Sequence, residues 1–300
     1  MFKINSDKVF NIIVYLIMIV LLIIFLYPLY FVLIASFSEP AEVVKGNVVF
    51  WVQGFTLDSY KQVFKSSEIW IGYRNTIVYT VFGTLLALFM TIPAAFAMSR
   101  KKMWNRNVIS LFFLITMYIG GGMLPTYLQV KNLGLLNQWY TQIVLGSFSV
   151  YNMIVMRNYF QTSIPESLFE AAEIDGGSHF KQLFMIALPL AKPIIAVITL
   201  YYAVGRWNNY WDSLVYITKS DYFSLQFVLR NVLLASSNAL RELDTSVADM
   251  DQIAYLTRKA YLAEAMKYSI IFIAAMPMLI VYPFVQKYFV KGVMVGSLKG

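Results

Sequence analysis

Six apolar stretches alternate with polar segments along the chain, near residues 10–35, 76–98, 108–128, 139–160, 186–211 and 266–288. Each reaches the ~20 residues that an α-helix needs to cross a hydrocarbon layer of about 30 Å. The pattern predicts an all-α membrane protein with six transmembrane helices. Asn152 and Arg157 interrupt the fourth stretch, and the fifth carries Arg206, Asn208, Asn209 and Asp212 near its end. The first stretch follows Lys3 and Lys8. It is about twice the length of a signal-peptide core and shows no convincing small-x-small cleavage site, so it is read as a retained span.

Composition sharpens this picture. Hydrophobic residues make up 59% of the 300 and charged residues only 13%. A water-soluble body of that size could not cover so much apolar surface with a polar skin. The net charge of +8 then bears on topology and anionic lipid, not on nucleic acid. Lys and Arg concentrate in cytoplasmic loops. The segment SRKKMWNRN holds Arg100, Lys101, Lys102 and Arg106, whereas the loop 129–138 holds only Lys131. Counting spans from there puts both termini inside, in agreement with Lys287, Lys291 and Lys299 at the far end, and the loops 36–72 and 213–264 outside. Cysteine is absent, which excludes disulfides, thiolate metal sites and a cysteine nucleophile.

One cytoplasmic segment stands apart, EAAEIDGGSHFKQLFMIALP at 170–189. Ser163 and Glu166 have the spacing of a capping box, with Pro165 tolerated in the first turn. The helix they start is expected to run to about Asp175, where Gly176 and Gly177 end it. About three turns cannot cross a bilayer. Leu168, Ala171, Ala172 and Asp175 fall on one side of it, and Glu166, Glu170 and Glu173 on another. Two readings follow: an anchor whose alanines admit a partner's backbone and whose carboxylates pair with its arginines, or a connector whose acids face water and suit the helix dipole.

The order Glu170-Ala171-Ala172, three residues, Gly176, nine residues, Ile186, then Leu188-Pro189 resembles the EAA loop of ABC importer permeases. The stretches FTLDSYKQVF, GGGMLPTYLQVKNLGLLN, RWNNYWD and KGVMVGSLKG are similar to permeases of the sugar-importing kind, in the subgroup handling oligosaccharides or complex polysaccharide fragments. The resemblance implies a type I ABC importer permease fold in a bacterial inner membrane, with a cytoplasmic coupling helix at about 165–176. It implies that Glu166, Glu170, Ala171, Ala172, Glu173, Asp175 and Gly176 meet a separate ATPase, with Glu170 pairing to a basic residue there. The chain would divide into 1–70 (first span and outer loop), 71–290 (transmembrane core) and 291–300 (cytoplasmic tail). The implied partners are a second permease, two ATPase copies, an extracellular or periplasmic binding protein, an oligosaccharide and lipid.

The chain has no G-x-x-x-x-G-K-[ST] loop, so ATP and Mg belong to the ATPase and no cofactor is expected here. Gly120-Gly121-Gly122 is expected to allow close helix approach or a local break. Candidate sugar contacts are Trp207, Asn208, Trp211 and Asp212, with Tyr118, Tyr127 and Gln129 facing the same cavity. The alternative is an interfacial aromatic belt, with Arg206 and Asp212 paired to shape the bundle. The polar, mixed-charge end of 213–264 reads either as one or two short helices serving as a solvated connector or as a docking surface. His179 stands without ligand partners, and no catalytic constellation is seen. A stand-alone secondary transporter or channel would show internal repeats or coupling-ion carboxylates within spans, and neither is found. An ABC permease for amino acids or peptides is the other alternative.

Overall fold

In hydrocarbon every backbone amide and carbonyl must be satisfied within the protein, and helices do this locally. The computed structural model describes residues 6–241 and 250–297, and these contain helices and turns but no strand. The helices are α1 (Ser6–Ser36), α2 (Pro40–Val44), α3 (Asp58–Lys65), α4 (Ser67–Ser99), α5 (Arg106–Tyr118) and α6 (Met123–Asn132). Next come α7 (Thr141–Val144), α8 (Val150–Ser163), α9 (Glu166–Ile174), α10 (His179–Gln182), α11 (Leu188–Leu190) and α12 (Lys192–Trp207). The last are α13 (Trp211–Tyr216), α14 (Leu225–Arg241) and α15 (Met250–Ser297). Thus helices flank 242–249 in the expected outer segment, while 242–249 itself, Lys3 and Lys299 lie outside the described residues.

Two compact units form, Met1–Ser67 with Leu229–Met276, and Glu68–Val228 with Pro277–Gly300. In the first, α1 is exposed along nearly its whole apolar length, as a lipid-facing helix should be. Only its last turns are buried, where Ile34 and Ala35 pack with Val43 and Val48. Phe31 meets Tyr268 edge-on at 5.5 Å, and the Tyr27 hydroxyl donates to the Val49 carbonyl at 3.2 Å.

In the second unit α4 is the continuous member. Its Phe96 and Met98 share a core with Met153, Met156, Phe160 and Ile198. Among the described residues three helices are long and apolar enough to cross a membrane, α1, α4 and part of α15, and up to five spans result if each bent pair counts as one. The stretch 108–128 is such a pair, with α5 and α6 meeting at 113°. The glycine triplet makes the break: Gly122 has φ +83°, and a side chain at Gly120 would meet nothing within 4 Å. The triplet is therefore a hinge and not a close helix contact. The second pair bends by 84° between α11 and α12, where Pro189 and Pro193 remove backbone donors.

The expected fourth span, 139–160, is not one helix. α7 stops at Val144, the Ser147 hydroxyl turns back to the Ile143 carbonyl at 2.9 Å, and Ser149 caps the 14-residue α8 through the Asn152 amide. Short polar side chains here compete with the helix for its own backbone groups.

Buried polar side chains close the gaps that these breaks leave. Gln142 donates to Ser213 Oγ at 3.0 Å and to the Tyr222 carbonyl at 3.1 Å. From α4, Asn75 donates to the carbonyls of Asp221 and Phe223, and Thr76 Oγ1 accepts the Leu225 amide at 2.8 Å.

The Arg206 guanidinium of α12 lies over Gly83 of α4, where an added Cβ would come 2.4 Å from Arg206 Cζ. Gly83→Ala is expected to cost about 1–3 kcal/mol by overpacking. Gly205→Ala, with nothing within 4 Å, is expected to be neutral or slightly stabilising. Thermal unfolding in detergent checks the pair: a lowered midpoint for the first and none for the second.

Candidate functional site

The acidic segment folds as α9, but not by the expected cap. Ser163 ends α8, Ile164 is buried, and the N-cap of α9 is Pro165 in an extended conformation with no side-chain hydrogen bond. Proline fixes this turn because its backbone cannot continue α8 across the residue before it. The far end closes as foreseen. Gly176 sits at φ +70°, its amide donates to the Glu173 carbonyl, and the Gly177 amide donates to the Ala172 carbonyl at 2.7 Å. Those two bonds form a Schellman termination that needs a left-handed residue at Gly176.

Phe169, absent from the two faces read in the sequence, anchors the helix. It is 2% exposed, with its ring 5.9 Å from Phe96, which in turn meets Phe160 at 5.9 Å. Burying such a ring contributes about 1.5–3 kcal/mol. Arg100 covers it. The guanidinium carbon lies 3.8 Å from the Phe169 ring centre and 5.2 Å from that of Phe96. Its Nη1 sits 3.8 Å from Glu166 Oε1, and its Nε donates to Ser99 Oγ at 3.1 Å. Burial pulls the Arg100 pKa below the ordinary arginine value, and Glu166 and Glu173 push the other way. One cation, held between two rings and a carboxylate, thus joins α9 to the end of α4.

A second link is peripheral. Lys102 Nζ donates to Glu173 Oε2 at 2.5 Å. That hydrogen bond, above all, holds the Glu173 carboxyl below the usual carboxylate range and raises the Lys102 pKa. The three glutamates therefore part company. Glu166 and Glu173 answer cations of this chain, while Glu170, exposed between them, forms no ion pair among the described residues. Ala171 is exposed, Ala172 half-buried, and Asp175 closes the helix as its exposed C-cap. Leu168 and Ile174 are exposed too, so α9 presents apolar surface beside Glu170. His179 lines the same small cleft as Glu170, Arg100 and Phe169. Among the described residues no cluster of His, Asp or Glu could hold a metal.

The second set of candidates is rearranged by the end of α12. That helix stops at Trp207 and α13 begins at Trp211, so Trp207 and Trp211, and Asn208 and Asp212, are not neighbours on one continuous helix. Asparagines make the break: Asn208 Nδ2 donates to the Val204 carbonyl, and Asn209 and Asp212 exchange two hydrogen bonds, 2.7 and 3.1 Å. Trp207 is 4% exposed and packs edge-on against Tyr73 at 6.1 Å. Trp211 is 46% exposed and Tyr118 78%. Tyr127 stacks on Tyr216 at 6.2 Å, which brings α6 to α13, and Gln129 is exposed. Arg206 and Asp212 form no ion pair; Arg206 Nη1 donates instead to the Gln142 carbonyl at 2.6 Å. Gln142, Ser213 and Arg100 were not foreseen as structural keys, and only the basic loop carried a signal, read there as topology.

Residues 69–295 match the family described as "Binding-protein-dependent transport system inner membrane component". The chain is 37% identical over 273 residues to Protein LplC of Bacillus subtilis (strain 168), covering 91% of this chain and 89% of that one. It is 33% identical over 295 residues to the polygalacturonan/rhamnogalacturonan transport system permease protein YtcP of the same organism, covering 98% and 100%. Among solved structures it superposes with a TM-score of 0.83 on a chain of a bacterial ABC transporter involved in the import of the acidic polysaccharide alginate. That pair shares 32% identity, with 96% and 99% of the two chains covered.

Removing the Arg100 side chain should loosen α9 while leaving α12 intact. Arg100→Ala is expected to cost about 1–2 kcal/mol locally, read as faster amide exchange in 166–174 and unchanged exchange in 192–207. The Glu173 link is fully present above the pKa of an unfolded glutamate and is lost as pH falls through its depressed folded value. Lys102→Gln should therefore reduce the acid-induced rise of proteolytic nicking in 166–177, and an unchanged acid profile would contradict the pairing.

Proposed function

The chain belongs to the binding-protein-dependent transport system inner membrane component family, and as a permease subunit of a sugar ABC importer, we propose, it takes its stroke from a separate ATPase through α9. The observation that carries this is the division of labour among the glutamates. With Glu166 and Glu173 engaged by Arg100 and Lys102, Glu170 is the acid on offer, flanked by the small Ala171 and the exposed Ile174. A carboxylate in that setting favours charge-assisted pairing with an arginine of a partner. Ala172, Asp175 and Gly176 keep the helix short and its far end tightly turned.

In this reading the chain forms half of the translocation pathway beside a second permease. Two ATPase copies bind below, with ATP and Mg, and a binding protein delivers sugar from outside; both termini are cytoplasmic. Closure of the ATPase pair draws the coupling helices together, and the attached helices rock between inward-open and outward-open states. Trp211, Asn208, Asp212, Tyr118, Tyr127 and Gln129 contribute to the pathway, with Trp207 supporting them from the packed side. The carbohydrate is an acidic oligosaccharide. YtcP is named for polygalacturonan, a polyuronate, and the solved transporter for alginate. Membership of the family speaks against a stand-alone channel or secondary transporter.

Glu170→Arg puts like charges opposite each other and is expected to cost the ATPase contact about 2–5 kcal/mol. The ATPase should then be lost on co-purification in detergent and ATP-driven uptake should fall at least tenfold. Intact co-purification and uptake would end the proposal. For the substrate class, labelled oligogalacturonate should be taken up in preference to a neutral maltodextrin, and Trp211→Ala should lower that uptake; equal uptake of the two sugars would remove the acidic assignment.

A further inference from the structure

A cavity of about 390 Å³ opens between α5 and α8 and shares no lining residue with either set discussed above. Two arginines line it, Arg106 from the first residue of α5 and Arg157 from the middle of α8. Ser110, Asn107 and Gln161 add hydroxyl and amide groups, and no carboxylate faces it. Arg106 is half-buried and forms no ion pair among the described residues. Arg157 is also half-buried. Its Nη1 donates to Ser110 Oγ at 3.4 Å and its Nη2 to Asn158 Oδ1 at 3.3 Å, both long bonds to neutral groups. Its Nε is buried without a partner.

Two guanidinium groups around one cavity repel each other, and a buried donor left unmatched costs free energy. Neither arginine has an acidic partner among the described residues: Glu166 is engaged by Arg100 and Glu173 by Lys102, and Glu170 lines the cleft beside α9 and not this cavity. The cavity thus has the chemistry of an anion site. The first turn of the 13-residue α5 adds free amides and the positive end of a helix dipole.

The rest of the lining selects among anions. Leu111 and Leu114 complete it, and both are exposed. Asn107, Leu111 and Leu114 recur at i, i+4 and i+7, so a polar floor passes into an apolar wall along one face of α5. The approach to α5 carries Trp104, 83% exposed, just after Lys101 and Lys102. An exposed tryptophan beside lysines is the mark of the membrane–water interface. Arg157 lies six residues from the end of α8, about 9 Å along the axis, which is headgroup depth if that end meets the cytoplasm. A free phosphate would satisfy the arginines and leave the leucine wall unused.

We propose that this cavity is a binding site for the phosphodiester headgroup of an anionic phospholipid, held by Arg106 and Arg157, with an acyl chain against Leu111 and Leu114. Such a lipid bridges α5 to α8, the helix that leads directly into α9. The proposal does not depend on ATPase coupling, and its test does not measure transport.

The test is lipid retention by the full chain, purified in mixed micelles of equimolar phosphatidylglycerol and phosphatidylcholine and read by native mass spectrometry. Wild type should retain phosphatidylglycerol in preference to phosphatidylcholine. Arg106→Gln/Arg157→Gln should lower that preference about tenfold, the loss expected for a charge-assisted hydrogen bond. Arg106→Gln alone, in an exposed first turn, should lower it in the same direction without threatening the fold. Retention of phosphatidylglycerol by both variants at the wild-type level would overturn the site, as would equal retention of the two lipids by wild type. Displacement of the lipid by millimolar inorganic phosphate would reassign the site to a soluble anion and overturn the lipid.

Discussion

Backbone polar groups without water are the constraint on which this structure turns. A helix satisfies its own amides and carbonyls, and α1 and α4 need nothing more. Between α4 and α14 the second unit is repeatedly broken: at the glycine triplet, at the serines before α8, at the prolines before α12 and at the asparagines after Trp207. Each break frees backbone groups, and the structure closes them with short polar side chains. Asn75, Thr76, Gln142, Ser213 and Ser224 hold the segment 208–225 to α4 and α7 through a set of buried and part-buried hydrogen bonds, the Ser224 hydroxyl donating to the Asn209 carbonyl. Broken helices tied in this way can supply a cavity with polar groups, which a smooth bundle of apolar cylinders cannot.

The same economy governs the end of the unit that carries α9. α9 is nine residues long and would not hold together by itself. It is stable because Phe169 enters the core beneath α4 and Arg100 closes over the ring. In the coupling proposed above, that geometry would matter for force transmission. A helix attached only by its ends would swivel when pushed, whereas one pinned through a buried ring and a cation moves with the helix that carries them. The fixed glutamates and the free one then have distinct duties. Glu166 and Glu173 orient the helix, and Glu170 is available to whatever lies below.

The basic loop between α4 and α5 consequently does more than one thing. Its charges are what the topology expectation rests on, yet Arg100 and Lys102 also bind α9, and Arg106 helps to line the cavity beside α8. Cations placed at a bilayer surface satisfy the topology rule whatever they touch, so these uses are compatible.

The sequence by itself determined the class of molecule: its apolar runs demand lipid, and the E-A-A-x-x-x-G order with its following I-x-L-P resembles one family of permeases. These features are local, and a periodicity or a spacing reads them directly. The end of α9 at Gly176 was legible for the same reason, since only a glycine takes that backbone conformation cheaply. Tertiary structure decided the rest. Ser163 has the spacing of a cap but was consumed by α8, because Pro165 dictates where the next helix can begin. Trp207 and Trp211 share a helical interval in the sequence, yet asparagines that bond back to the backbone put one in the core and leave the other exposed. Phe169 and Arg100, seventy residues apart, meet only when α9 folds under α4. Such pairings depend on which chain segments compete for the same buried space and the same hydrogen-bond donors, and that competition takes place in three dimensions.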